Sequence, residues 1–138
     1  MVVTVTGSFP AVYRAADARP LFVVDDDASI REIVQAVIEA EGYRVITAAE
    51  GEEALGQLRS GLRPGLILLD LRMPGMDGRA FREVQAAEPE LAAIPVVILS
   101  GDSDAPRVAG SLGLEWLLKP VPFDRLLSVV ERYCAPHS

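Results

Sequence analysis

The chain is poor in several residue types, and each shortage narrows what it does. Among its 138 residues there is one cysteine, Cys134, so no internal disulfide forms and a reducing, cytoplasmic setting is expected. There is one histidine, His137, one residue from the end, which leaves no material for a His-rich metal site. Basic residues number 13 against 20 acidic ones, and the net charge of −7 works against binding nucleic acid. No apolar run approaches the roughly 20 residues that cross a bilayer. The stretch from Met1 to Pro20 lacks the basic flank and apolar core of a secretory signal. With half of its residues hydrophobic and 24% charged, the chain can still bury a proper core. One domain is expected.

Residues 1–19 read as a loosely held extension, with Val and Thr alternating until Gly7, Ser8 and Pro10 interrupt them. Residues 20–135 carry the regular pattern, and 136–138 form a tail. Leu21–Val24 is a continuous apolar run that stops at Asp25-Asp26-Asp27, as a strand covered on both faces would. Ile30, Ile33, Val34, Val37 and Ile38 follow at helical spacing, with Gly42 as terminator. Tyr43–Thr47 is a more polar strand, placed nearer an edge. Ala54, Leu55 and Leu58 mark a helix with Glu50, Glu52 and Glu53 at its start, ended by Gly61. Leu66–Leu69 is again a buried strand, and Asp70 follows it. Gly78–Glu88 reads as a helix burying Phe81 and Val84, and Pro95–Leu99 as a fourth strand before Ser100. Between Asp102 and Gly113 the Gly, Asp, Ser and Pro content predicts a short, weak helix. Glu115–Leu118 is the fifth strand, ending at Lys119. Phe123, Leu126, Leu127, Val130 and Tyr133 space out the closing helix. Five strand–helix alternations imply an α/β fold with a doubly wound parallel sheet and helices on both faces.

In open sheets of this kind, ligands gather beyond the carboxyl ends of the strands. Those ends supply Asp25, Asp26, Asp70, Ser100 and Lys119. Carboxylates this close repel each other, and a divalent cation is the plain remedy; all-oxygen ligands point to Mg²⁺. A carboxylate beside Mg²⁺ can attack phosphorus to form an aspartyl-phosphate, while an ammonium and a hydroxyl bind the phosphoryl oxygens. Lys119 is the only lysine beside twelve arginines, which suggests that a compact point charge is needed there.

Taken in order, Val23-Val24-Asp25-Asp26-Asp27, Leu69-Asp70-Leu71-Arg72-Met73-Pro74-Gly75-Met76-Asp77-Gly78, Leu99-Ser100-Gly101 and Leu118-Lys119-Pro120 resemble the receiver domain of bacterial two-component response regulators, the family that includes the chemotaxis regulator. The resemblance runs from about Pro20 to Cys134. It implies a flavodoxin-like sheet of five strands in the order 2-1-3-4-5. Asp70 resembles the phosphoacceptor. Asp26 and Asp70, with the backbone carbonyl of Arg72, resemble the direct Mg²⁺ ligands, and Asp25 the one acting through water. Ser100 resembles the switch hydroxyl, Lys119 the phosphoryl-binding lysine, Trp116 the switch aromatic and Pro120 the cis-proline. Arg72 and Asp102 flank the expected phosphoryl position and are expected to tune its lifetime. Trp116 is larger than the usual phenol or phenyl ring and is expected to stay outward as a binding surface.

The resemblance further implies a histidine kinase or histidine phosphotransfer protein as donor. It implies a protein partner on the face of the fourth helix, fifth strand and fifth helix. A monomer or a phosphorylation-dependent homodimer is expected, and no membrane contact. With nothing after Ser138, a stand-alone regulator is expected; a receiver from a hybrid kinase is the other origin. Self-phosphorylation and dephosphorylation are the only chemistry assisted, so the chain is not expected to be an enzyme. A constitutive interaction module would not keep the full set of acids, acceptor, hydroxyl and lysine. Phosphatases of the haloacid dehalogenase type carry an aspartate two residues after the nucleophile, where this chain has Arg72. No G-x-G-x-x-G turn follows the first strand, against a dinucleotide site.

Overall fold

The computed structural model describes residues 18–135. The extension and the tail expected at the two ends therefore lie outside the described residues, apart from Ala18 and Arg19. Ala18 is buried, and the Arg19 amide donates to the carbonyl of Cys134 (3.1 Å).

Five strands, β1 (Leu21–Val24), β2 (Val45–Ala48), β3 (Leu66–Leu69), β4 (Val96–Ser100) and β5 (Glu115–Leu118), alternate with five helices. The helices are α1 (Ala28–Glu39), α2 (Gly51–Arg59), α3 (Gly78–Ala87), α4 (Ala105–Leu112) and α5 (Phe123–Cys134). The strands form one parallel sheet in the order β2-β1-β3-β4-β5.

The continuous apolar strands are explained by what covers them. In β1, Phe22 and Val24 face a core shared with Leu55 and Leu58 of α2, Phe81 of α3 and Ala105 and Ala109 of α4. Leu21 and Val23 face the opposite core, shared with Val34 and Ile38 of α1 and Leu126, Val129 and Val130 of α5. With helices on both faces, alternation has no role, and β1, β3 and β4 are buried throughout. The edge strand β2 is only half-buried at Ile46 and Thr47, which accounts for its more polar sequence.

Capping fixes where helices begin near the rim. The Asp27 carboxylate accepts from the amides of Ser29 (2.9 Å) and Ile30 (3.4 Å), and Asp77 does the same for Ala80 (2.8 Å). The fourth helix is short, as its composition predicts: eight residues, closed by Gly113 at φ +70°.

Two positions in the helical stripes turn outward. Ile33 and Phe123 are 51% and 60% exposed, so α5 is anchored by Leu126, Val129, Val130 and Cys134 and not by its first aromatic. In α3, Val84 is only half-buried, and Gln85, which the spacing did not single out, takes the inward place.

Candidate functional site

The sheet ladder carries straight into the rim and places the polar groups. Beyond β1, the Asp25 amide donates to Ala48 (3.1 Å); beyond β3, the Asp70 amide donates to Val24 (2.9 Å). At the other side of the sheet the Lys119 amide donates to the Ser100 carbonyl (2.9 Å), and the Lys119–Pro120 peptide is cis. The backbone therefore sets these side chains by the same hydrogen bonds that hold the strands.

They line one open cleft of about 710 Å³ with Asp25, Asp26, Asp70, Arg72, Ser100, Asp102 and Lys119 in its walls. Carboxylate oxygens of Asp25, Asp26 and Asp70 all lie within 4.8 Å of one another. Asp25 and Asp70 are buried, whereas Asp26 faces solvent. Lys119 donates to the Asp25 carboxylate at 2.8 Å and stands 3.8 Å from that of Asp70. Asp25 also accepts from the Asp27 amide (2.9 Å), and its carbonyl accepts from the Arg31 guanidinium (2.7 Å). Sequence reasoning did not single out Arg31; its only signal is its place in the first turn of the helix that follows the acids.

Burial, and then the neighbouring Asp25 carboxylate, push Asp70 up to about 7, with Lys119 and the Arg72 amide (3.4 Å) acting the other way. A buried carboxylate so reluctant to ionise signals too little positive charge for the acids gathered there. An all-oxygen set of this kind suits a hard divalent cation.

Ser100 is buried, and its hydroxyl oxygen accepts from the Asp102 amide (3.0 Å). Across the mouth, Arg72 donates to the Asp102 carboxylate from Nε at 2.8 Å, with a second guanidinium nitrogen at 2.7 Å. The Asp104 amide and the Arg72 guanidinium hold the Asp102 carboxyl below its usual range. Trp116 lies apart from the cleft on β5 and is 39% exposed; Leu118, two residues on, is 46% exposed. Leu117 between them faces the core of α1 and α5, so the two exposed side chains emerge on the side of the short α4.

The sequence profile of the response regulator receiver domain matches residues 21–131, spanning all five strands and most of α5. The chain belongs to this family.

The likeness of the receiver extends to individual proteins. The transcriptional regulatory protein ZraR of Salmonella typhimurium is 39% identical over 119 residues, which cover 83% of this chain and 26% of that protein. A response regulator receiver protein from Pseudomonas putida has a crystal structure that matches at a TM-score of 0.75 and 35% identity, over 83% of this chain and 98% of that one. The chemotaxis response regulator CheY4 of Vibrio cholerae matches at a TM-score of 0.75 and 29% identity, over 84% and 98%. The receiver spans about a quarter of the length of the first curated regulators it matches. Its sheet order is the one the resemblance implies, and its five strand–helix alternations are those expected from the sequence pattern. Among the described residues, no helix is long and apolar enough to cross a membrane.

Proposed function

We propose that residues 20–135 form a phosphorylation-controlled switch in which Asp70 accepts a phosphoryl group from a phosphohistidine. The observation that carries this reading is Asp70 itself: a buried carboxylate at the floor of the cleft, beside two further acids and 3.8 Å from the chain's single lysine. A histidine kinase or histidine phosphotransfer protein is the donor, acting in the cytoplasm. The Asp70 carboxylate oxygen attacks phosphorus, the P–N bond breaks, and its electron pair returns to the imidazole nitrogen. Hydrolysis follows the same line. A water oxygen attacks phosphorus, the P–O bond to Asp70 breaks with its electron pair going to the carboxylate, and phosphate leaves.

Asp25, Asp26, Asp70 and the carbonyl of Arg72 are the groups that would hold Mg²⁺. When bound, the ion offsets the negative charge shared by the carboxylates and the phosphoryl oxygens. Lys119 contributes an ammonium whose present partner, Asp25, is near enough for it to reach a group on Asp70. Ser100 contributes a hydroxyl that can donate to a phosphoryl oxygen once it moves inward. Phosphorylation then favours one of two conformers, and the surface of α4, β5 and α5, including Trp116, presents the result to a protein partner.

The test is intact mass after incubation with Mg²⁺ and acetyl phosphate, for the wild type and Asp70→Asn. One added phosphoryl group, absent from the variant and absent without Mg²⁺, supports the reading. No added mass together with no Mg²⁺ binding would favour a binding module that works unphosphorylated.

A further inference from the structure

Arg72 and Asp102 stand on different loops, one following Asp70 and the other following Ser100, and they meet across the mouth of the cleft. Asp102 is a junction. Its carboxylate holds Arg72 through one oxygen, at 2.8 and 2.7 Å, and accepts from the Asp104 amide (3.0 Å) through the other. Its own amide donates to the Ser100 hydroxyl oxygen (3.0 Å), and its carbonyl accepts from Ala105, the first residue of α4 (3.0 Å). Asp104 in turn pairs with Arg107 on the first turns of that helix. One guanidinium therefore holds the residue, Asp102, whose main chain bonds both the Ser100 hydroxyl and the start of α4.

We propose that Arg72 is an exchangeable clamp: it pins the 101–104 loop through Asp102 in the unmodified protein and surrenders that carboxylate when a phosphoryl group arrives on Asp70. The inference rests on Asp70 being the acceptor. The competition favours exchange on charge grounds. The Arg72 amide already lies 3.4 Å from the Asp70 carboxylate, so the residue is beside the incoming group. A phosphoryl group brings about −1.5 to −2 charges and three acceptor oxygens, against the single charge of Asp102. A guanidinium fork binds such a group bidentately. The Arg72 side chain is 79% exposed, so nothing but the ion pair restrains its swing. Once Asp102 is released, its amide no longer holds the Ser100 hydroxyl, and both the hydroxyl and the first turn of α4 are free to move.

Hydrogen exchange of the peptide spanning 100–108, followed by mass spectrometry, reads the clamp directly. Asp102→Asn keeps an oxygen for the Asp104 amide and removes only the charge; Arg72→Ala removes the partner. In the unmodified, metal-free protein both variants are expected to exchange about two- to fivefold faster than wild type in this segment, the scale of an exposed ion pair. Phosphorylation with acetyl phosphate and Mg²⁺ is expected to speed exchange there in the wild type and to add nothing in Arg72→Ala. Unchanged exchange in both unmodified variants would overturn the clamp, and so would a phosphorylated wild type whose loop is no looser. If intact mass showed no phosphoryl on Asp70 and Mg²⁺ did not bind, the acceptor reading would fall, while faster exchange in the unmodified variants would still support the pinning of the loop.

Discussion

Gly78 packs its α-carbon against the carbonyl of Asp70 so closely that a Cβ there would sit 2.4 Å from that oxygen and 2.9 Å from the Leu71 α-carbon. Its amide also donates to Leu71 (2.9 Å), so the start of α3 and the residue at the floor of the cleft are fitted to each other through the main chain. Backbone cannot swing aside as a side chain can. Gly78→Ala is therefore expected to cost about 1–3 kcal/mol and to displace Asp70, lowering labelling by acetyl phosphate even at temperatures where the variant is folded. Gly56→Ala is the control, because it sits inside α2 with open space around it. It is expected to stabilise by about 0.5–1 kcal/mol. Urea unfolding of both variants measures the contrast, and equal effects would remove the close approach as its cause.

The raised Asp70 gives the metal-free protein a pH signature. Its carboxyl titrates at about 7 when folded, against an ordinary value of 3.8. As pH rises from about 4 to about 7 the unfolded chain gives up a proton that the folded one keeps, so stability falls across that window. Asp70→Asn removes this slope. In the presence of a chelator the variant is expected to be more stable than wild type by about 1–2 kcal/mol at pH 7.5, discounted because water reaches the open cleft, and equal to it near pH 4. Added Mg²⁺ should close the gap at neutral pH. Parallel pH profiles for the two proteins in chelator would contradict the assignment.

Gln85 is fully buried on α3, and its amide nitrogen donates to the carbonyls of Leu91 (2.7 Å) and Ile94 (3.2 Å), while its oxygen accepts from Arg82 (2.7 Å). These bonds tie the loop after α3 to the helix. Gln85→Leu fills similar space but takes the donor from the buried Ile94 carbonyl and leaves that of Leu91 with only the Ile94 amide (3.1 Å), at a cost of about 1–3 kcal/mol in urea unfolding. A neutral result would mean that water takes over at the Ile94 carbonyl.

The Cys134 thiol is 1% exposed and pushed up to about 12 by burial. Alkylation at pH 8 is expected to proceed only through unfolding, so its rate should follow urea concentration and not the thiolate fraction of a free cysteine. Fast labelling without urea would show that the end of α5 opens locally.

Most of the fold is legible in the chain because apolar strands without alternation can only lie between two helical layers, and here each stops at a polar residue. Asp25 and Asp70 declare themselves by following such runs and Ser100 by ending one, while Lys119 ends a half-exposed strand and stands out as the single lysine. What escapes the sequence is pairing across distance. Nothing local joins Arg72 to Asp102, thirty positions on, or shows that Lys119 pairs with Asp25. Gln85 escapes for a related reason, since a polar residue is inward only if tertiary carbonyls await it. Ile33 and Phe123 mark the opposite limit. Helical spacing says which face a residue is near, and packing decides which members of that face are covered.

The single lysine has a consequence for anyone who handles the protein. Reagents that couple to side-chain amines, whether dyes, cross-linkers or activated beads, find no lysine on the surface of the helices and have Lys119 as their only such target. Conjugation there would remove the ammonium and wedge a bulky group into the cleft, while Asp25, deprived of its partner, would be left buried and uncompensated. Tethering through an introduced cysteine avoids this, because the native thiol is already out of reach.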